Sequence, residues 1–346
     1  MEDFLFKVIL VVVLFVVSLL VAMYSTYGER KISAFLQDRI GPNRAGPFGL
    51  LQPLADGVKM FMKEEIIPNV SNKALFILGP CIAMTTALMA GVLIPWGGNI
   101  ELFGKTYSLQ IADLNIGVLY IFGVTSMGVY GIMIGGWASN NKYSLMGAIR
   151  ASAQMISYEI AMGLAIIALI MSTGTMSLKE IADQQDAGFA NFIYQPLGFL
   201  IFLICSFAEL NRAPFDMPES ESELIGGYHT EYSSMKLGLY LFAEYINMFI
   251  SSAIIVTFYL GGHHFPFQNE INEALGLSTN LSTALGTVVF FLKIFFFIFF
   301  FMWVRWTLPR FRYDQLMRVG WKSLIPLAIL NILVTGVVMW MNGKLN

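Results

Sequence analysis

Charge is scarce in this chain. Only 13% of its 346 residues are Asp, Glu, Lys or Arg, and 56% are hydrophobic. An ordinary soluble domain carries about 25% charged residues. With a mean hydropathy of +0.66, the composition excludes a soluble globular domain and points to a polytopic membrane protein. Cysteine and histidine are scarcer still: Cys81 and Cys205, with His229, His263 and His264. Two thiols and three imidazoles cannot supply a four-thiolate iron–sulfur site. Both cysteines lie in apolar runs and read as ordinary buried small residues. The histidines lack metal-ligand spacing, and the adjacent pair reads as solvated in a loop. No glycine-rich phosphate loop opens a helix after a strand, which argues against a nucleotide or flavin site. No cofactor and no metal bound by this chain is expected. An internal repeat is also missing, which weakens an inverted-repeat transporter reading.

Long apolar runs are what the chain has instead. Eight are long enough to approach about 30 Å of hydrocarbon: Phe4–Tyr27, Ala74–Trp96, Asn115–Ala138, Gln154–Thr173, Gln195–Leu210, Met235–Leu260, Thr283–Val304 and Ser323–Trp340. The fifth is the shortest. The expected fold is all-α, a single integral membrane domain over 1–346. Its notable connections are 28–73, 209–235 and 305–322. The first run begins MEDF, with no basic leader and no small-residue cleavage site, and reads as a retained span.

Lys and Arg set the orientation. Sixteen fall in the connections after spans 1, 3, 5 and 7, and four on the other side: Lys7, Lys105, Lys179 and Lys344. Both termini are therefore expected outside. The net charge of −2 says little, because the charges are segregated by loop.

The acids are less evenly spread. Glu209, Asp216, Glu219, Glu221, Glu223 and Glu231 crowd one short connection, with Glu159 before it and Glu244 after it. A carboxylate inside a span costs about 2.5–3.5 kcal/mol even on the forgiving insertion scale, so it is a functional candidate by default. Crowded carboxylates cannot all ionise together and can carry protons. With the orientation above, Glu159, Glu209 and Glu244 share the inner half of the membrane, like half of a proton path. Lys293 is the one base near mid-depth. A structural ion pair is the plainer reading of any one such acid, and clustering at one depth favours the path.

The connection after span 1 contains GPNRAGP, a turn stiffened by proline and permitted by glycine. Leu51, Leu54, Val58, Phe61 and Met62 then recur at helical spacing, with Gln52, Asp56, Lys59 and Lys63 largely opposite. This is an amphipathic helix fit to lie at an interface. It can touch anionic lipid, or it can floor an entrance for a hydrophobic ligand. The basic, aromatic connection after span 7 reads as positive-inside anchoring and as a docking surface for a soluble partner. Nucleic acid is not an expected partner. The phenylalanine-rich run 290–301 reads as lipid-facing and packing surface.

These segments resemble the H-subunit family of proton-pumping NADH-quinone oxidoreductase, whose mitochondrial member is NADH dehydrogenase subunit 1. The phrases run through most of the chain: ERK at Glu29, GPNRAGPFGLLQPLADGVK at Gly41, GWASN at Gly136, RASAQMISYE at Arg150, AELNRAPFDMPESESEL at Ala208, EYSSM at Glu231, AEY at Ala243 and LPRFRYDQLM at Leu308. The charged motif positions show no departure. The resemblance implies a membrane component that forms most of a quinone chamber and starts a charged axis through the membrane arm of respiratory complex I. Glu29, Arg30, Arg39, Asp56 and Lys59 would then frame and support the entrance. Arg150 would sit at the inner end of span 4. Arg212, Asp216, Glu219, Glu221 and Glu223 would lie near the quinone, and Glu159, Glu209, Glu231 and Glu244 would form the proton-linked axis. The implied partners are peripheral-arm subunits carrying flavin and iron–sulfur clusters, other membrane-arm subunits, lipid and quinone as substrate. The implied location is the bacterial inner membrane. A membrane component of a related membrane-bound hydrogenase and a stand-alone ion transporter are the alternative readings. Neighbouring genes separate the first, and transport by the chain alone the second.

Overall fold

The computed structural model describes residues 2–102, 104–186, 190–218, 221–265, 268 and 278–341. Among these, seven helices are long and apolar enough to cross a membrane. They are α1 (Glu2–Leu36), α3 (Lys73–Ala90), α4 (Gly117–Ala138), α5 (Lys142–Thr173), α8 (Ser234–Tyr259), α9 (Thr279–Thr307) and α10 (Tyr313–Met341). α10 passes through a π-helical stretch at Val319–Leu324. The amphipathic segment is α2 (Gln52–Met62), and α6 (Leu178–Asp183) follows α5. The short fifth run is α7 (Pro196–Glu209). Its 14 residues rise about 21 Å, less than the hydrocarbon core. A two-stranded hairpin, Asn99–Leu102 with Lys105–Ser108, lies in the connection after α3.

The helix ends follow local chemistry. Asn72 accepts a hydrogen bond from the Leu75 amide at 3.4 Å to open α3, and Asn141 accepts from Tyr143 at 2.9 Å to open α5. Such caps satisfy otherwise orphaned amides. Gly174, left-handed at φ 73°, ends α5. Proline occupies the first turn of α2 and of α7, where its missing N–H costs nothing. Several helices outrun the hydropathy limits, among them α10, which starts at Tyr313 and not at Ser323. α1 continues from Tyr27 to Leu36, and α5 starts at Lys142, well before Gln154. Helical hydrogen bonding does not stop where lipid does, so polar turns at the surface extend these rods.

Glycine sets the closest helix pair. A Cβ on Gly131 of α4 would stand 2.9 Å from the Ala83 amide and 3.0 Å from the Gly79 carbonyl of α3. Only a bare backbone permits this approach. Gly79 and Gly135 leave room for the Tyr240 hydroxyl of α8, which donates to the Gly131 carbonyl at 3.0 Å, and Tyr232 donates to that of Phe76 at 3.1 Å. α8 is the most enclosed helix, while α1 presents Phe4, Val8, Val12, Phe15 and Leu20 outward. The phenylalanine run serves both purposes: Phe290, Phe297 and Phe301 are buried, and Phe295, Phe296 and Phe299 are exposed. Cys205 is buried as expected. Cys81 is exposed and corrects that expectation, because it lies on the face of α3 turned away from the other helices.

Candidate functional site

The connections after spans 1, 3, 5 and 7 meet at one end of the bundle. Arg212 is the hub. Its Nη1 lies 3.0 Å from Glu29 Oε2 of α1 and its Nη2 lies 3.8 Å from Glu244 Oε2 of α8. Its guanidinium stacks 4.5 Å from the ring centroid of Tyr245. Glu29 also takes Arg305 Nη1 at 2.5 Å and the Tyr245 hydroxyl at 2.8 Å. Tyr228 donates to Glu244 at 2.9 Å. Glu29 and Arg212 are both 5% exposed, so each charge depends on the others. A buried charge left without its partner is costly in a way that a surface pair is not.

The acidic connection is tied down rather than solvated. Arg310 Nη2 meets Asp216 Oδ2 at 2.6 Å, and the Phe311 amide donates to the Pro214 carbonyl at 3.1 Å. Gln154, fully buried in α5, donates to the carbonyls of Ala208 and Phe215 at 2.8 and 2.7 Å. Arg150 Nη1 reaches Glu223 at 2.5 Å, and Asn141 donates to Glu231 at 2.6 Å. Glu219 and the side chain of Glu221 lie outside the described residues.

The three intramembrane acids are joined by space. A cavity of about 60 Å³ between α3, α4, α5, α7 and α8 has both Glu244 and Glu209 on its wall, with Thr125, Asn211, Tyr228 and Asn247. A second, of about 10 Å³, is shared by Glu209, Glu159, Thr125 and Ser126. One water needs about 10–15 Å³ by this measure. The first cavity therefore has room for several waters, and the second is at the limit for one. Ser126 donates to Glu159 there. Glu159 is half-exposed, beside the exposed Ile156 and Ile160 of α5. A string Glu244–Glu209–Glu159 thus leads from the arginine hub to the flank of the bundle.

The other side of the hub is the α1–α2–α8 frame. Arg30 Nη1 pairs with Asp56 Oδ2 at 2.6 Å, and Gln52 donates to the same carboxylate at 3.1 Å. Tyr27 donates to the Phe48 carbonyl at 2.8 Å, and Ser234 of α8 to that of Met60 at 3.1 Å. Lys236 pairs with Glu65 beyond the end of α2. Leu51, Leu54, Val58, Phe61 and Met62 are all exposed, so the apolar face of α2 is uncovered. Lys59 is exposed. Arg39 bonds Gln37 and Ser33 at 2.8 and 3.2 Å. Neither is brought to the hub. Lys293 is not brought to the carboxylate string either. It donates to the carbonyls of Leu260, Gly262 and His264 at the opposite end of the bundle.

Several site residues carry too little signal in the sequence to be found there. Arg305 and Arg310 read only as part of a basic anchoring and docking connection, with nothing that pairs them with Glu29 and Asp216. Tyr228, Tyr245, Gln154, Ser126 and Asn141 carry no charge signal. Some stand inside conspicuous phrases such as AEY and RASAQ, but their partners lie many residues away.

Fold and site together define an all-α polytopic membrane protein with an arginine-clamped internal carboxylate network. A family model described as NADH dehydrogenase matches residues 8–336. The chain is 70% identical to an NADH-quinone oxidoreductase H subunit of Cytophaga hutchinsonii, over 97% of each chain. It is 64% identical to the H subunit of Flavobacterium johnsoniae, over 96% of this chain and 94% of that one. With an H subunit of Geobacter metallireducens it shares 48% over 98% and 96%. The chain belongs to the H-subunit family of NADH-quinone oxidoreductase, and is a membrane component of that multi-subunit enzyme.

Proposed function

We propose that the chain forms the quinone chamber of its complex and passes protons from that chamber to its flank. The carrying observation is the string of cavities that joins Glu244, Glu209 and Glu159 behind the Arg212 hub. A redox event near the hub changes the charge that Arg212, Arg305 and Arg310 balance on Glu29, Glu244 and Asp216. Protons then redistribute along carboxylates that share water. The α1–α2–α8 frame, with its uncovered apolar helix, admits the quinone tail from the bilayer. Arg150, Glu223 and Glu231 brace the acidic connection, and Arg39 and Lys59 support the entrance from the interface. The chain holds no flavin or cluster of its own. Peripheral-arm subunits deliver the electrons to the arginine-rich face formed by 305–322, and a neighbouring membrane-arm subunit covers Glu159. The membrane is the bacterial inner membrane, with both termini outside, as the basic connections favour.

Coupling requires two arrangements that quinone binds unequally. The acidic connection is the element that changes. Hydrogen exchange over Asn211–Glu231 in the assembled complex is expected to slow when quinone is bound. Identical protection with and without quinone would count against the reading.

The frame gives a second expectation. The Arg30–Asp56 pair is partly exposed, so it contributes only about 0–1 kcal/mol to stability. Asp56→Ala should therefore leave assembly intact. It should raise the apparent KM for long-tailed quinone more than for short-tailed quinone, because α2 loses its tether to α1. Equal kinetics with both quinones would argue that α2 is a surface helix only.

A further inference from the structure

At the end of the bundle opposite the carboxylate network, two connections converge on a second cluster. α8 ends at Tyr259, and the chain turns back through Gly261 and Gly262, both left-handed. Lys293 of α9 holds this turn by donating to the carbonyls of Leu260, Gly262 and His264 at 2.8, 3.0 and 2.6 Å. The turn sets the rings of His263 and His264 side by side, with centroids 4.1 Å apart. From the other side, α6 brings Asp183, and Asp186 follows it. His264 Nε2 lies 3.1 Å from Asp183 Oδ1, and its Nδ1 lies 3.3 Å from Asp186 Oδ1. A nitrogen of each histidine and a carboxylate oxygen of Asp183 all fall within 4.8 Å of one another.

A purely ionic cluster would explain half of this. A protonated His264 between two carboxylates is satisfied. His263 is not: it is 6% exposed, and its Nδ1 has no hydrogen-bond partner among the described residues. A buried polar atom without a partner is costly and calls for a ligand. The donor set is two imidazoles and a carboxylate.

We propose that His263, His264 and Asp183 bind a borderline-soft divalent cation of the Zn²⁺ class, with water completing a tetrahedral shell. Gln268 Oε1 accepts from His264 Nδ1 at 3.3 Å, beside Asp186 Oδ1, and fixes its tautomer, so that Nε2 faces the ion. A metal-bound histidine characteristically has such a partner. Bonds of about 2.0–2.2 Å place tetrahedral donors about 3.3 Å apart. The donors close onto the ion by rotation of Asp183, whose side chain is 46% exposed. The Lys293 ammonium opposes the cation, but it is turned onto three carbonyls and two carboxylates offset it. Bound metal would clip the α8–α9 connection to the one between α5 and α7.

The test is equilibrium dialysis of the intact, detergent-solubilised complex against Zn²⁺. Comparison with variants subtracts zinc bound by other subunits. His263→Ala and Asp183→Asn should each bind one equivalent per complex fewer than wild type. Equal zinc binding in assembled wild type and variants overturns the site. A variant-free measurement guards against failed assembly. Zn²⁺, but not Mg²⁺, should slow carbethoxylation of His264 in the wild-type complex, read by peptide mass spectrometry. Zinc-independent modification of His264 also overturns the site.

Discussion

An Arg212→Leu variant is expected to lose about 3 kcal/mol of stability, and with it most assembled complex. Removing one member of a buried ion pair typically costs about 3–5 kcal/mol, because the remaining charge stays buried. Here Arg212 faces Glu29 and Glu244 at once. The low end of the range applies because Arg305 and Tyr245 still hold Glu29, and Tyr228 still bonds Glu244. Arg212→Lys keeps the charge but loses the planar fork that reaches two helices. It should assemble better than the leucine variant and still reduce quinone slowly. Native gel electrophoresis and thermal unfolding of the complex check both. A leucine variant that assembles and melts like wild type would mean that the hub charges are not interdependent.

Glu209→Gln is expected to lower coupled quinone reduction by about a hundredfold while leaving the complex assembled. A positioned acid or base contributes roughly 10²–10⁴ to a proton-transfer step. The amide preserves shape but cannot exchange a carboxyl proton. Glu209 is on the walls of both cavities, so its loss separates Glu244 from Glu159. NADH oxidation by artificial acceptors should survive, since that chemistry lies in other subunits. Normal quinone turnover in this variant would show that protons bypass Glu209.

Much of the fold was legible because lipid imposes a simple rule on sequence: a backbone in hydrocarbon must satisfy its own hydrogen bonds, so apolar runs become helices. The limits were less legible. α1 and α5 extend beyond their apolar runs because cap and turn residues, not hydropathy, end a helix. The amphipathic helix within 28–73 is legible because its period is written in Leu51, Leu54, Val58 and Phe61, and it runs over Gln52–Met62. The acids at the site were conspicuous for the opposite reason: a carboxylate such as Glu159 or Glu244 is rare in an apolar run. Their pairing was not conspicuous. Arg305 reaches Glu29 and Arg310 reaches Asp216 across long chain separations that spacing does not encode. Lys293 shows the converse, a charge at suggestive depth that the fold spends on three loop carbonyls. Asp183 was invisible as a partner of His264 for the same reason.

The central claim is that Glu209 changes its proton occupancy when quinone is reduced. Redox-induced infrared difference spectroscopy of the assembled complex reads this directly, through the carbonyl stretch of a protonated carboxyl. The wild-type spectrum should show a carboxyl band that appears or shifts on quinone reduction and is absent from Glu209→Gln. The same carboxyl difference bands in wild type and Glu209→Gln would contradict the account.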